Sequence, residues 1–128
     1  MFQKSRILLV DDEPDIIEVL KTRLETECFD VSVAMDGEEA LKKAHTEKPG
    51  LIVLDLMLPK IDGYMVCGFL KKDACTSKIP IIMLTARAQI QDEKFGLECG
   101  ADAYIKKPFD PQELLQKVKT LLAVSPSG

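Results

Sequence analysis

Four apolar runs along the chain each end in a polar residue: LLVDD at residues 8–12, LIVLD at 51–55, IIMLT at 81–85 and AYIKKP at 103–108. Short β-rich runs bounded by turn residues predict strands, and such runs begin near Arg6, Asp30, Leu51, Ile81 and Ala103. Between them, apolar residues recur at helical spacing. The first predicted helix carries Ile16, Ile17, Leu20 and Leu24 behind Pro14, a residue suited to the first helical position. The second opens at Asp36 with Glu39 three residues on, a capping-box spacing, and offers Ala40, Leu41 and Ala44 to a core. The third presents Met65, Val66, Phe69 and Leu70. A fourth, less regular, runs over residues 89–99 and stops at Gly100; the fifth starts at Asp110 and Pro111 and repeats Leu114, Leu115, Val118, Leu121 and Leu122. Runs such as LIVL have no polar face, which predicts strands buried on both sides in a parallel sheet covered by helices. The pattern is therefore an α/β, (βα)5 doubly wound fold with a five-stranded parallel sheet. With right-handed crossovers the common strand order is 2-1-3-4-5, whose switch point lies between the first and third strands.

At 128 residues the chain suits one domain, expected over residues 1–124, with SPSG at 125–128 as a flexible tail or linker stub. A net charge of −4 argues against nucleic-acid binding by this domain alone, because that affinity comes mainly from Lys and Arg against phosphates. No segment approaches the roughly 18 apolar residues of a membrane span, and the apolar run near the start is too short for a signal peptide. A cytoplasmic protein is expected. Cys28, Cys67, Cys75 and Cys99 form no CxxC pair, so they read as reduced thiols, mostly in the core. His45, the sole histidine, lies among Lys42, Lys43 and Lys48 and reads as exposed and inert.

In open α/β sheets, ligands bind outside the carboxyl ends of the strands. There the predicted order gathers Asp11, Asp12, Asp55, Thr85, Lys106 and Lys107. Crowded carboxylates repel each other unless a cation intervenes, and a hard, oxygen-preferring Mg²⁺ fits such a set. A lysine serves phosphate as a point charge, and a hydroxyl can donate a hydrogen bond to it. The ensemble describes a site for a divalent metal and a phosphoryl group. Taken singly, Asp12 also reads as a helix cap and Thr85 as an ordinary β-branched strand residue. Asp55 is different, because a carboxylate directly after four buried apolar residues is costly without a partner. Alternation sends Lys106 and Lys107 to opposite sides of the strand, so one of them faces the site.

The acidic pair Asp11 and Asp12, Asp55 with Pro59 and Asp62-Gly63 in DLMLPKIDG, Thr85-Ala86, and Lys107-Pro108-Phe109 follow one another in a set order. On these motifs the chain resembles a bacterial two-component response-regulator receiver domain of the CheY-like superfamily, from Ile7 to about Ala123. The resemblance implies a flavodoxin-like three-layer sandwich and a phosphoacceptor switch that is not an enzyme in its own right. It implies that Asp55 takes a phosphoryl group from a sensor histidine kinase or a histidine phosphotransfer protein. Asp12, Asp55 and the backbone carbonyl of Met57 would ligate Mg²⁺, with Asp11 acting mostly through bound water. The backbone amides of Met57 and Ala86, the Thr85 hydroxyl and Lys107 would hold the phosphoryl oxygens, and Tyr104 would rotate as Thr85 moves. Lys106 is then a surface charge.

Members with winged-helix outputs dimerise through the fourth helix, fifth strand and fifth helix. This chain matches that pattern in part, with Asp102, Glu113 and Lys117 suitable but Ala103 where a second aspartate is usual. The alternative reading is the receiver part of a longer DNA-binding transcriptional regulator. Other classes fit poorly. A haloacid-dehalogenase phosphatase needs an aspartate where Met57 stands, DDEP would repel a flavin phosphate, and no GxxxxGK is present for a P-loop.

Overall fold

The computed structural model describes residues 5–85, 100–107 and 109–124. Strands β1 (Arg6–Val10), β2 (Asp30–Ala34), β3 (Leu51–Asp55), β4 (Ile81–Thr85) and β5 (Ala103–Lys106) form one parallel sheet in the order β2-β1-β3-β4-β5. Helices α1 (Pro14–Thr26), α2 (Gly37–Glu47), α3 (Gly63–Lys72) and α4 (Pro111–Val124) accompany it, α4 being the fifth helix expected from sequence. The fourth expected helix and the 125–128 tail lie outside the described residues.

Strand alternation divides the core into two layers. Leu8, Val10, Ile52, Leu54, Ile81 and Met83 pack under α2 and α3 with Ala40, Ala44, Val66, Cys67 and Leu70. Ile7, Leu9, Leu51, Val53, Ile82, Leu84 and Ile105 face the other way, against Leu20 and Leu24 of α1 and Leu114, Leu115 and Val118 of α4. Because the central strands are buried throughout, register is pinned on both faces; Asp55 aligns with Leu84 and Thr85 with Lys106.

Local chemistry sets the helix ends. Asp36 accepts the Glu39 N–H at 2.8 Å, and the Glu39 carboxylate reaches back to the Met35 N–H, one residue before the usual capping-box target. Asp62 caps α3 through the Met65 N–H at 2.9 Å. Glu13 stands at the N-cap of α1 without a side-chain cap; its own N–H donates to Asp11. On the edge strand β2, Lys43 donates to the Val33 carbonyl.

Several expectations are corrected. Met65 and Phe69 are half exposed, because the buried face of α3 runs through Gly63, Val66, Cys67 and Leu70 and the other pair lies off it. Of the described cysteines only Cys67 is buried; Cys28, at a positive φ in the turn before β2, and Cys75 are exposed. His45 is exposed but engaged, its Nε2 2.7 Å from Asp73 Oδ2. Asp102 is exposed, as a surface role requires, but it is also bonded within the fold: its Oδ2 accepts from Lys71 Nζ at 2.9 Å and from the Ile81 N–H at 2.8 Å. Lys71 also donates to the carbonyls of Ile79 and Ser77, so this pair ties α3 to the starts of β4 and β5 at the edge remote from the candidate site.

The loop after β3 is held from both sides. Gly63 donates to the Leu56 carbonyl at 2.9 Å, and a Cβ there would lie 2.5 Å from the Asp55 carbonyl oxygen and 2.7 Å from Leu56 Cα. Gly37, opening α2, sits as closely on the Ile61 backbone. Gly68 in mid-α3 has open space around it. Gly63→Ala is therefore expected to destabilise the domain by about 1–3 kcal/mol through backbone overpacking. Gly68→Ala should stabilise it by up to about 1 kcal/mol through helix propensity. Urea unfolding of the two variants checks both signs.

Candidate functional site

Asp55 is the last residue of β3 and Asp11 directly follows β1, each carried into the interior by four wholly buried apolar neighbours. Asp11 is fully buried and Asp55 is 2% exposed. Both stand in the alternation layer that also holds Ile105, so Lys107, two residues beyond Ile105, comes to the same side and Lys106 does not. The Lys107 ammonium lies 3.4 Å from Asp55 Oδ2, 3.5 Å from Asp11 Oδ2 and 3.7 Å from Glu13 Oε1. These distances exceed the roughly 2.7–2.9 Å of a committed charge-assisted hydrogen bond, so one cation is shared among three anions. Asp12 is exposed at the rim, and one carboxylate oxygen from each of Asp11, Asp12 and Asp55 lies within 4.8 Å of the others.

Hydrogen bonding leaves the set incompletely satisfied. Asp11 Oδ1 accepts the Glu13 N–H at 3.0 Å, but its buried Oδ2 accepts no hydrogen bond. Asp55 Oδ1 accepts the Met57 N–H at 3.3 Å, so that amide is turned onto the carboxylate. The Met57 side chain is exposed. Burial, and then the Asp11 charge, push the Asp55 pKa up from 3.8 to about 6 against the pull of Lys107 and the Met57 amide. Burial alone would lower the Lys107 pKa, but the Asp55 and Asp11 charges outweigh it and the net direction is up. The two shifts differ in kind because Lys107 faces only anions, whereas Asp55 faces a cation and a second anion. A buried carboxylate oxygen that accepts no hydrogen bond and has only a share of one ammonium 3.5 Å away, within an acidic triad, suits a hard, oxygen-seeking divalent cation. Such an ion would reverse the Asp55 shift.

Thr85 ends β4 and is 1% exposed, and its carbonyl accepts the Lys107 N–H. Thr85 shares the α3-side layer with Met83, and Tyr104 on β5 pairs with Met83 and packs into that same layer. Tyr104 is half buried, with its hydroxyl 3.4 Å from that of Tyr64 on α3. Lys106 is exposed. Ala86 lies outside the described residues. Sequence reasoning passed over Glu13, the third anion on Lys107, and Tyr64. Their adjacency to the DD and DG motifs was the available signal.

A doubly wound sheet with an acidic, cation-ready cluster and a shared lysine at its switch point defines a receiver-type α/β domain. The family model for the response regulator receiver domain matches residues 7–119, and the chain belongs to that family. It is a receiver of the two-component class. The chain is 53% identical over 118 residues to the alkaline phosphatase synthesis transcriptional regulatory protein PhoP of Bacillus subtilis, covering 92% of this chain and 48% of that protein. It spans about half the length of the curated relatives it matches. The CheY-like receiver domain protein of Methanospirillum hungatei superposes with a TM-score of 0.88 at 36% identity, over 94% of this chain and 95% of that one. The receiver domain of a Pseudomonas aeruginosa sensor histidine kinase superposes at 0.87 and 30% identity, over 94% and 99%, and holds a magnesium ion in its active-site cleft.

The raised Asp55 pKa fixes the sign of a stability effect. The folded state holds this proton more tightly than the unfolded chain, so the burial penalty is fully present above about pH 6 and relieved as pH falls toward 3.8. In metal-free buffer, Asp55→Asn is expected to be more stable than wild type by roughly 2 kcal/mol at pH 7.5. The advantage should shrink to near zero by about pH 4, and thermal melts across that range measure it.

Proposed function

We propose that Asp55 is the phosphoacceptor of this receiver and that the domain is a cytoplasmic, phosphorylation-controlled switch rather than an enzyme acting on other substrates. The observation that carries this reading is the buried Asp55 carboxylate, repelled by Asp11 and held 3.4 Å from Lys107. An Asp55 oxygen attacks the phosphorus of a phosphohistidine on a sensor kinase or phosphotransfer protein. The phosphorus–oxygen bond forms as the phosphorus–nitrogen bond breaks, and the imidazole leaves with a proton. Phosphoryl transfer asks little of a protein beyond positioning and charge neutralisation. Asp12, Asp55 and the Met57 carbonyl would hold Mg²⁺, with Asp11 acting through water. The ion supplies neutralisation of the oxygens gathered there.

Lys107 moves from sharing carboxylates to pairing with a phosphoryl oxygen. The Met57 and Ala86 amides and the Thr85 hydroxyl take the remaining oxygens. Drawing Thr85 inward vacates space on the layer it shares with Tyr104, which biases two arrangements of that face. Beside the site, a groove of about 540 Å³ is lined by the apolar Ile16, Val19, Leu20, Phe109 and Pro111 together with Glu13, Asp15 and Lys107. It suits an amphipathic helix of the phosphodonor. Dimerisation through β5 and α4 would draw on the exposed Glu113 and Lys117, with Asp102 exposed beside them but already paired with Lys71.

A second reading follows from the length of the relatives. With the match covering 48% of a transcriptional regulatory protein, and a DNA-binding regulator of Synechocystis covered to the same share, this receiver would on that reading be the input half of a longer DNA-binding regulator. The intact mass in its native cell decides between that and a free-standing switch.

Incubation with acetyl phosphate and Mg²⁺ should add one phosphoryl group, mapped to Asp55 by mass spectrometry, and chelation of the metal should abolish it. Persistent labelling of Asp55→Asn at wild-type stoichiometry would sink the assignment. Lys106→Ala should respond like wild type, whereas Lys107→Ala should lose at least about tenfold in labelling rate or in the accompanying conformational response, given the loss of a buried charge partner. Equal defects in the two folded variants would show that the lysine was wrongly chosen.

A further inference from the structure

Tyr64 and Tyr104 are the only tyrosines of a chain that has no tryptophan, and their hydroxyl oxygens lie 3.4 Å apart. The two residues come from distant parts of the fold. Tyr64 is the second residue of α3 and follows Gly63, which is packed against the carbonyl of Asp55 and bonded to that of Leu56. The root of the Tyr64 ring is thereby fixed to the backbone that presents the acceptor. Tyr104 stands in β5 opposite Met83 of β4, two residues before Thr85. Since β4 lies between β3 and β5, the hydroxyl pair reaches across that strand and joins the acceptor loop to the edge of the sheet.

Ring packing alone would place both phenols against the same apolar layer without requiring their oxygens to meet. Part-buried phenol hydroxyls need partners, and here the two oxygens lie within reach of each other. The separation exceeds the roughly 2.8 Å optimum of an O–H···O bond, so the link is weak and easily broken. A weak bond joining two elements biases a conformational balance between them without dominating it.

We propose that Tyr64 is a positioning residue whose hydroxyl latches Tyr104 in the arrangement of the unphosphorylated domain, so that filling the Asp55 site and releasing β5 oppose the same bond. This rests on the reading of Asp55 as phosphoacceptor. A shift of the Asp55–Leu56 backbone carries the Tyr64 ring with it and lengthens a contact that is already long. By reciprocity, removing the contact favours whatever binds at Asp55.

Beryllofluoride with Mg²⁺, a mimic of the phosphoryl group, provides the probe, and tyrosine emission reports the pair without interference from tryptophan. In the full chain, Tyr64→Phe and Tyr104→Phe, each lacking one oxygen, are expected to bind the probe about two- to fivefold more tightly than wild type. The double variant should bind no more tightly than either single one, because both changes delete the same bond. In Tyr64→Phe, where emission comes from Tyr104 alone, the change on probe binding should be smaller than in wild type, the ring being already released. Unchanged affinity in Tyr64→Phe, or additive effects in the double variant, overturns the latch while leaving the acceptor assignment standing. Absence of any probe binding to wild type overturns the acceptor reading and the latch with it.

Discussion

Asp11 and Asp55 are carried into the interior by strands whose preceding residues have no contact with water, and there they meet each other across a single shared ammonium. Burying two like charges is unfavourable, and the fold tolerates it only by surrounding them with partial compensation: Lys107, the Glu13 and Met57 amides, and an open rim at Asp12. The apolar strands supply the rigidity that prevents the carboxylates from turning out to solvent. Stability invested in the two core layers is thus held as electrostatic tension at the edge of the sheet. A cation or a phosphoryl group brings the charge or the bonding partners that the protein withholds.

Most of the fold was legible because each of its elements obeys one period. LIVL and IIML have no polar face, and their burial in the sheet centre follows from that alone. The five strand starts and the strand order emerged as expected. Alternation alone left the lysine choice open and the Lys107-Pro108 motif selected Lys107; the physical reason is that Ile105 faces the α1 side, which sends Lys107 and not Lys106 toward Asp11 and Asp55. In α3 the period was read correctly and the phase was not. Met65 and Phe69 are as apolar as their neighbours, and only the close packing of Gly63 on the β3 loop fixes which side turns inward.

What the sequence could not disclose were pairings between residues far apart along the chain. Asp102 is the surface charge it looked like, but it is also held by Lys71 and the start of β4. His45 looked solitary, yet it meets Asp73. The Tyr64 and Tyr104 oxygens meet across 40 residues of sequence, and no local period encodes such a meeting.

The double clamp on the loop after β3 has a further consequence for how such a domain can diverge. With Gly37 and Gly63 closing on Ile61, Asp55 and Leu56, the stretch from the acceptor to α3 has no slack, and an inserted or deleted residue there would displace two helices at once. The turn around Cys28, by contrast, lies at the opposite end of the sheet and is held by its own backbone bonds to Leu24 and Glu25. Natural variation in length should therefore accumulate at the amino-terminal edge of the sheet, while the acceptor loop varies in side chains at fixed length. Diversity among such domains would then be written in what the loop displays, as at Met57, and never in how far it reaches.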